Sequence, residues 1–223
     1  RSNVSAPDIP GMIISRITSL VPRFDEHTLL SALDPNELSR MEKEPSHTAL
    51  IFKIPKKYDP REELAFHVTS LGLFLFENSL MIITTDDMLP FGGKAFARLE
   101  WMPELMLKTL NSSIGHFRAH LQVIDRVSEE LADKISTSME NKYLLRLFAL
   151  EKSLVYYLNA MTSNGAVLER MKSCFHRLEF HQDDRELLDD IIIENHQCFK
   201  QAKVYSNILS SMMDARVSIV NNN

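Results

Sequence analysis

The chain has 223 residues, 44% of them hydrophobic and 25% charged, with a formal net charge of −5. That length suits one domain or two small ones, and the composition is that of a globular protein able to build a core. The acidic balance, without any basic run, excludes a nucleic-acid surface, because phosphate recognition needs clustered Lys and Arg. Two cysteines, Cys174 and Cys198, are too few for a disulfide framework and fit a reducing compartment. The start lacks the basic-then-apolar pattern of a signal peptide. No apolar run approaches the ~20 residues that cross a bilayer, and the longest, at 71–76 and 80–83, are strand-sized. The chain opens without Met and closes on three asparagines inside a helical pattern, so both ends read as cut edges of a longer protein.

All nine prolines lie at or before Pro103, and after Gly115 the only glycine in the sequence is Gly165. Pro and Gly break regular elements, so a mixed first part and a nearly all-helical second part are predicted. In chain order, residues 10–21 and 26–33 read as short helices. The run TALIFKI (48–54) reads as a strand. Residues 64–76, rich in β-branched and aromatic side chains, turn through Glu77, Asn78 and Ser79 into a second strand at 80–84, which makes a hairpin. The chain loosens at 91–103, around Pro90, Gly92 and Gly93.

Beyond that boundary three helical stretches follow. Leu110, Ile114, Phe117, Leu121, Ile124, Val127, Leu131 and Ile135 recur at steps of three and four, as on an amphipathic helix. A second helix is predicted over 141–161, ended by Ser163, Asn164 and a left-handed Gly165, with a short partner at 166–171 folding back. The third runs unbroken from about Asp184 to the last residue. Its apolar residues come in pairs (Leu187–Leu188, Ile191–Ile192, Ile208–Leu209, Met212–Met213), which gives a broad stripe suited to more than one neighbour. Such a helix is roughly 55 Å long, too long to be buried in a small domain, so it is expected to project. The predicted class is α+β: an α/β/α-type domain at 1–103, a helical hairpin region at 104–183, and one long stalk helix at 184–223.

The strongest chemical signal is acidic. Asp183, Glu186, Asp190 and Glu194, at steps of three, four and four, share a helical face, with Asp184 and Asp189 beside them. Hard divalent ions such as Mg2+ take carboxylate oxygens. Acidic residues at a helix start also suit the macrodipole without any ligand, so both readings stay open. Cys174, His176, His181, His196 and Cys198 match no common structural zinc spacing. His116 and His120 sit one turn apart with no evident third ligand. Gly92-Gly93-Lys94 is too short for a phosphate loop. No nucleophile elbow or zinc-protease motif occurs, and nothing points to an enzyme. The methionines, Met212 and Met213 included, read as helix packing.

Two segments carry a family resemblance. ENKYLLRLFALEKSLVYYLNAMTSNGAVLERM (140–171) resembles the helical hairpin before the stalk in bacterial CorA proteins. DDIIIENHQCFKQAKVYSNILSSMMDARVSIVNNN (189–223) resembles the CorA stalk running toward its first membrane span. More loosely, Asn3-Val4-Ser5 resembles a strand of that family, and HTLLSALDPNELSRMEKE (27–44) its "H-P-L-x-x-E-D" region.

The resemblance implies a homopentameric channel of the inner (plasma) membrane passing Mg2+ and Co2+, with this part in the cytoplasm and two spans beyond it. It also implies Mg2+ sites between subunits, one carboxylate from the stalk and one from the α/β domain. The stalk carboxylate maps to Asp190, flanked by Asp189, Glu194, Asp183 and Glu186. The family's "E-D" pair falls on Ala32 and Leu33, a departure that leaves Asp34 as the local carboxylate. Two alternatives stand beside this reading. One is a ZntB-type zinc transporter, hinted at by His176, His181 and His196. The other is a soluble coiled-coil interaction protein without transport.

Overall fold

The computed structural model describes residues 26–58, 64–85, 96, 101–137, 140–178 and 180–221. The helix predicted at 10–21, the strand around Val4 and the Gly92-Gly93-Lys94 run lie outside these residues. The elements are α1 (Glu26–Leu33), β1 (Arg40–Lys43), β2 (Thr48–Pro55), β3 (Val68–Leu75), β4 (Leu80–Thr84), α2 (Met102–Thr137), α3 (Asn141–Ser173), a 3-10 turn (Phe175–Arg177) and α4 (Gln182–Asn221).

The strands form an antiparallel meander in the order β1-β2-β3-β4. Every residue of β2 is buried, and so is all of β3 except Val68, because both faces of the sheet are covered. Leu50, Phe52, Leu71 and Leu73 face the long helices, against Met106, Leu107 and Leu110. Ala49, Phe74 and Ile83 face the other way, onto Leu29 and Ala32 of α1. Gly72 allows α1 to come this close: a Cβ there would sit 2.5 Å from the Ala32 Cβ. β1 gives little signal in the sequence, since three of its four residues are charged and only Met41 is buried. Strand β3 begins at Val68 rather than Leu64, which adopts a left-handed φ of 71°.

The prediction that α3 ends at Gly165 is corrected. The helix runs on to Ser173, and Asn164 inside it is fully buried. Its amide docks on β2 where β1 has stopped. Lys53 N–H donates to Asn164 Oδ1 at 2.8 Å, and Asn164 Nδ2 donates to Lys53 O at 2.9 Å. Ser39 Oγ adds a donor to the same Oδ1 at 2.6 Å. The polar triplet is thus a contact with the sheet and not a helix stop.

A second correction follows from the first. Because α3 keeps its full 33 residues, it accompanies α4 over most of that helix's 40 residues. The two run antiparallel, joined at Lys172–Asp189, Met161–Asn195 and Glu151–Ser210. The α4 helix therefore does not project alone. It buries Leu188, Ile191, Cys198, Ala202, Leu209 and Met213 in the main core, while Ile193, Val204 and Ile208 remain exposed. Of the paired apolar residues, only Ile208–Leu209 splits between the two sides, while Leu187, Ile192 and Met212 are half-buried and pack against the core beside their partners.

Candidate functional site

The start of α4 is set by its first turn. His181 N–H donates to Asp184 Oδ2 at 2.8 Å, which is one half of a capping box, and Asp184 N–H donates to the His181 backbone carbonyl at 3.1 Å. Asp184 is buried, and that burial pushes its carboxyl above the usual range, against the His181 hydrogen bond that lowers it. The His181 ring stacks on Trp101 with centroids 3.6 Å apart. Asp184 and His181 are thereby engaged in capping and packing.

The other acids point outward. Asp183, Glu186 and Asp190 are exposed. Asp189 pairs with Lys172 of α3 at 2.7 Å, and Glu194 pairs with Arg118 of α2 at 2.8 Å. Asp190 and Glu194 line a cleft of about 670 Å³ between α2 and α4, together with Asn111, His116, Arg118 and Ile193. Gly115 also lines it, and a Cβ at that position would meet nothing within 4 Å. The His116 imidazole is held below its usual pKa by burial. Its neighbour one turn on, His120, is a core residue: Nδ1 lies 2.6 Å from Tyr157 Oη, and burial and His116 lower its pKa to about 4.

Asp34 sits elsewhere. It follows α1, and its Oδ1 accepts the Asn36 N–H at 2.8 Å. Its backbone oxygen accepts Ser70 Oγ–H at 2.6 Å, and Lys53 Nζ donates to the next carbonyl, Pro35 O, at 2.7 Å. Ala32 shows why an acid cannot occupy that position here. It has no exposed surface and faces Gly72, so a carboxylate would be driven into the α1–sheet contact. The exposed Asp34 is the carboxylate this loop can offer.

In one chain these residues do not converge. Among the described residues, no group of three or more His, Cys, Asp or Glu side chains is arranged to hold a metal ion. Asp34 follows the helix on one face of the sheet, whereas Asp190 belongs to the helices on the other. The histidines and cysteines considered for zinc are also dispersed. His176, His181 and His196 are exposed, and Cys198 is buried with its thiol pushed up to about 11. Ser153, whose Oγ accepts the Phe66 N–H at 2.9 Å, and Asn195 carry no mark in the sequence beyond a polar residue at a helix position otherwise suited to the core, and Asn164 reads there as a helix stop.

Residues 16–223 match the model of the family CorA, described as CorA-like Mg2+ transporter protein. The chain belongs to the CorA family. This is a family of transporters rather than of enzymes. The chain is 26% identical over 203 residues to the cobalt/magnesium transport protein CorA of Methanocaldococcus jannaschii, covering 85% of this chain and 61% of that protein. The chain thus spans less than two thirds of that CorA relative.

The fold agrees. The soluble domain of CorA from the same organism superposes with a TM-score of 0.82 at 22% identity, over 93% of this chain and 84% of that one. The complete structure of that CorA magnesium transporter gives 0.83 at 22% identity, over 99% and 74%. The cytoplasmic domain of ZntB from Vibrio parahaemolyticus gives 0.69 at 13% identity, over 97% and 85%. The α+β class with long helices after the sheet is therefore that of the CorA soluble domain. No helix among the described residues of this CorA chain is long and apolar enough to cross a membrane.

Proposed function

We propose that this CorA chain is the cytoplasmic regulatory part of a homopentameric divalent-cation channel of the inner (plasma) membrane, with Mg2+ and Co2+ as cargo. In this reading 1–103 is the α/β domain, 104–183 the hairpin region, and 184–223 the stalk leading to the first span. The observation that carries the regulatory part is the placement of the carboxylates. Asp34 and Asp190 are exposed on elements separated by the sheet, so a site that uses both is completed by two chains.

The mechanism is linkage. Mg2+ held between Asp34 of one subunit and Asp190 of the next, with Asp189, Glu194, Asp183 and Glu186 adding to the field, screens carboxylates that repel when bare. Such a shared site exists fully only in the closed arrangement, so the ion favours that state by its differential affinity. When Mg2+ falls, the ions leave, the acidic faces repel, and the stalks separate.

Sedimentation of the chain in EDTA and then in millimolar Mg2+ or Co2+ tests this. A shift toward the pentamer is expected, and Asp190→Ala is expected to abolish it. A wild-type chain indifferent to both ions contradicts the proposed sites.

A further inference from the structure

The Asp34 loop and α4 lie across the sheet from one another, yet a series of polar contacts joins them. At one end, Ser70 Oγ donates to Asp34 O, and Lys53 Nζ donates to Pro35 O and to Ser70 Oγ, at 2.6, 2.7 and 3.0 Å. The Lys53 side chain thus fixes the backbone that presents Asp34. Its own backbone is gripped on both its N–H and its C=O by the Asn164 amide of α3. Three residues before Asn164 and one residue after it, α3 meets α4. Asn195 Nδ2 donates to Met161 O at 2.9 Å, and a Cβ on Gly165 would lie 3.2 Å from that same Nδ2. Asn195 is in turn the neighbour of Glu194 in α4, one and a half turns from Asp190.

The two joints differ in how well they are satisfied. Both ends of the Asn164 amide are bonded, Oδ1 twice. Asn195 is equally buried, at 5% exposure, but its Oδ1 has no hydrogen-bond partner among the described residues. A buried acceptor left unpaired raises the energy of the arrangement that contains it. The β2–α3 joint is therefore fully bonded, whereas the Asn195 contact between α3 and α4 carries an unpaired acceptor, a penalty that a shear shift of α4 relieves.

We propose that Lys53, Asn164 and Asn195 are positioning residues that couple the Asp34 loop to α4, with Asn164 as the fixed joint and the Asn195–Gly165 contact as the one that yields. The inference rests on the proposed regulatory function and assigns the residues through which metal occupancy sets the position of α4. None of the three touches the metal.

The test uses the intact protein in membrane vesicles, probed by limited proteolysis along a Mg2+ series, with thermal melting in EDTA measured alongside. Asn195→Leu is close in size and removes the unpaired acceptor, so it is expected to melt at or above the wild-type temperature. Gly165→Ala presses on the same contact. Both are expected to move the Mg2+ midpoint of protection about tenfold, within the range of ordinary coupling energies. Asp190→Asn serves as the variant that loses the response itself. If Asn195→Leu and Gly165→Ala keep the wild-type midpoint while Asp190→Asn abolishes protection, the coupling role is wrong, whatever happens to the melting temperature. If the wild-type protein shows no Mg2+ response at all, the regulatory function fails first and the coupling falls with it.

Discussion

Ser163, Asn164 and Gly165 of α3 and the acids of α4 between Asp183 and Glu194 are the two polar features of these amphipathic helices that the sequence marks, and packing treats them in opposite ways. Asn164 of the first is fully buried, between half-buried Ser163 and Gly165. Asn164 replaces the missing end of β1 as the hydrogen-bond partner of β2, and Gly165 lets α4 approach. Most of the second run faces outward, and its two ion pairs, Lys172–Asp189 and Arg118–Glu194, join partly exposed side chains. A polar residue in a core position needs hydrogen-bond partners, and where it finds all of them, as Asn164 does, it helps to specify the fold. A polar residue on a free face costs the fold little to change and is available for function.

The largest expected effect tests the buried asparagine. Asn164→Ala leaves the N–H and C=O of Lys53 without their partner, so it should destabilise the chain by about 3 kcal/mol. Urea denaturation measures this, and a loss comparable to a surface substitution would break the contrast. Next comes the other close approach. Gly72→Ala places a Cβ on top of Ala32, so α1 must shift, at a cost of about 2 kcal/mol by the same measurement.

A smaller effect depends on pH. The folded pKa of His120, about 4, lies below its unfolded value of 6.5. As pH falls, the unfolded state takes up the proton first. The stabilisation is therefore complete above about pH 6.5 and is lost down to about pH 4, amounting to at most about 3 kcal/mol before solvent screening reduces it. Urea midpoints followed across that range should show the slope, and His120→Gln should flatten it. The smallest effect sharpens the other side of the comparison. Asp183→Asn and Glu186→Gln should change stability by less than about 0.5 kcal/mol, because exposed charges contribute little.

The sequence was most legible where one periodicity ran without conflict. The bounds of α1, the strand β2 and the turn into β4 were read closely, and so was the apolar stripe of α2. β1 was not, because an edge strand of Arg, Met, Glu and Lys carries almost no alternation. Ser163, Asn164 and Gly165 were misread because stop signals and buried docking residues are the same residue types, and only the tertiary partner tells them apart. The acidic face was visible from its spacing alone. That Asp189 and Glu194 pair with cations from α3 and α2, and that Ala32 is sealed against Gly72, required the packed structure.

The most direct test of the account is a cross-link between subunits. In the intact protein with Cys174→Ser and Cys198→Ala, subunits bearing Asp34→Cys are co-expressed with subunits bearing Asp190→Cys and oxidised in membranes. The account predicts a disulfide-linked dimer that needs both variants and forms between different subunits. Equal exposure of both thiols with no cross-link, either as a disulfide or through a short bis-maleimide that spans the width of a hydrated ion, would place the two carboxylates apart and contradict a shared metal site between them.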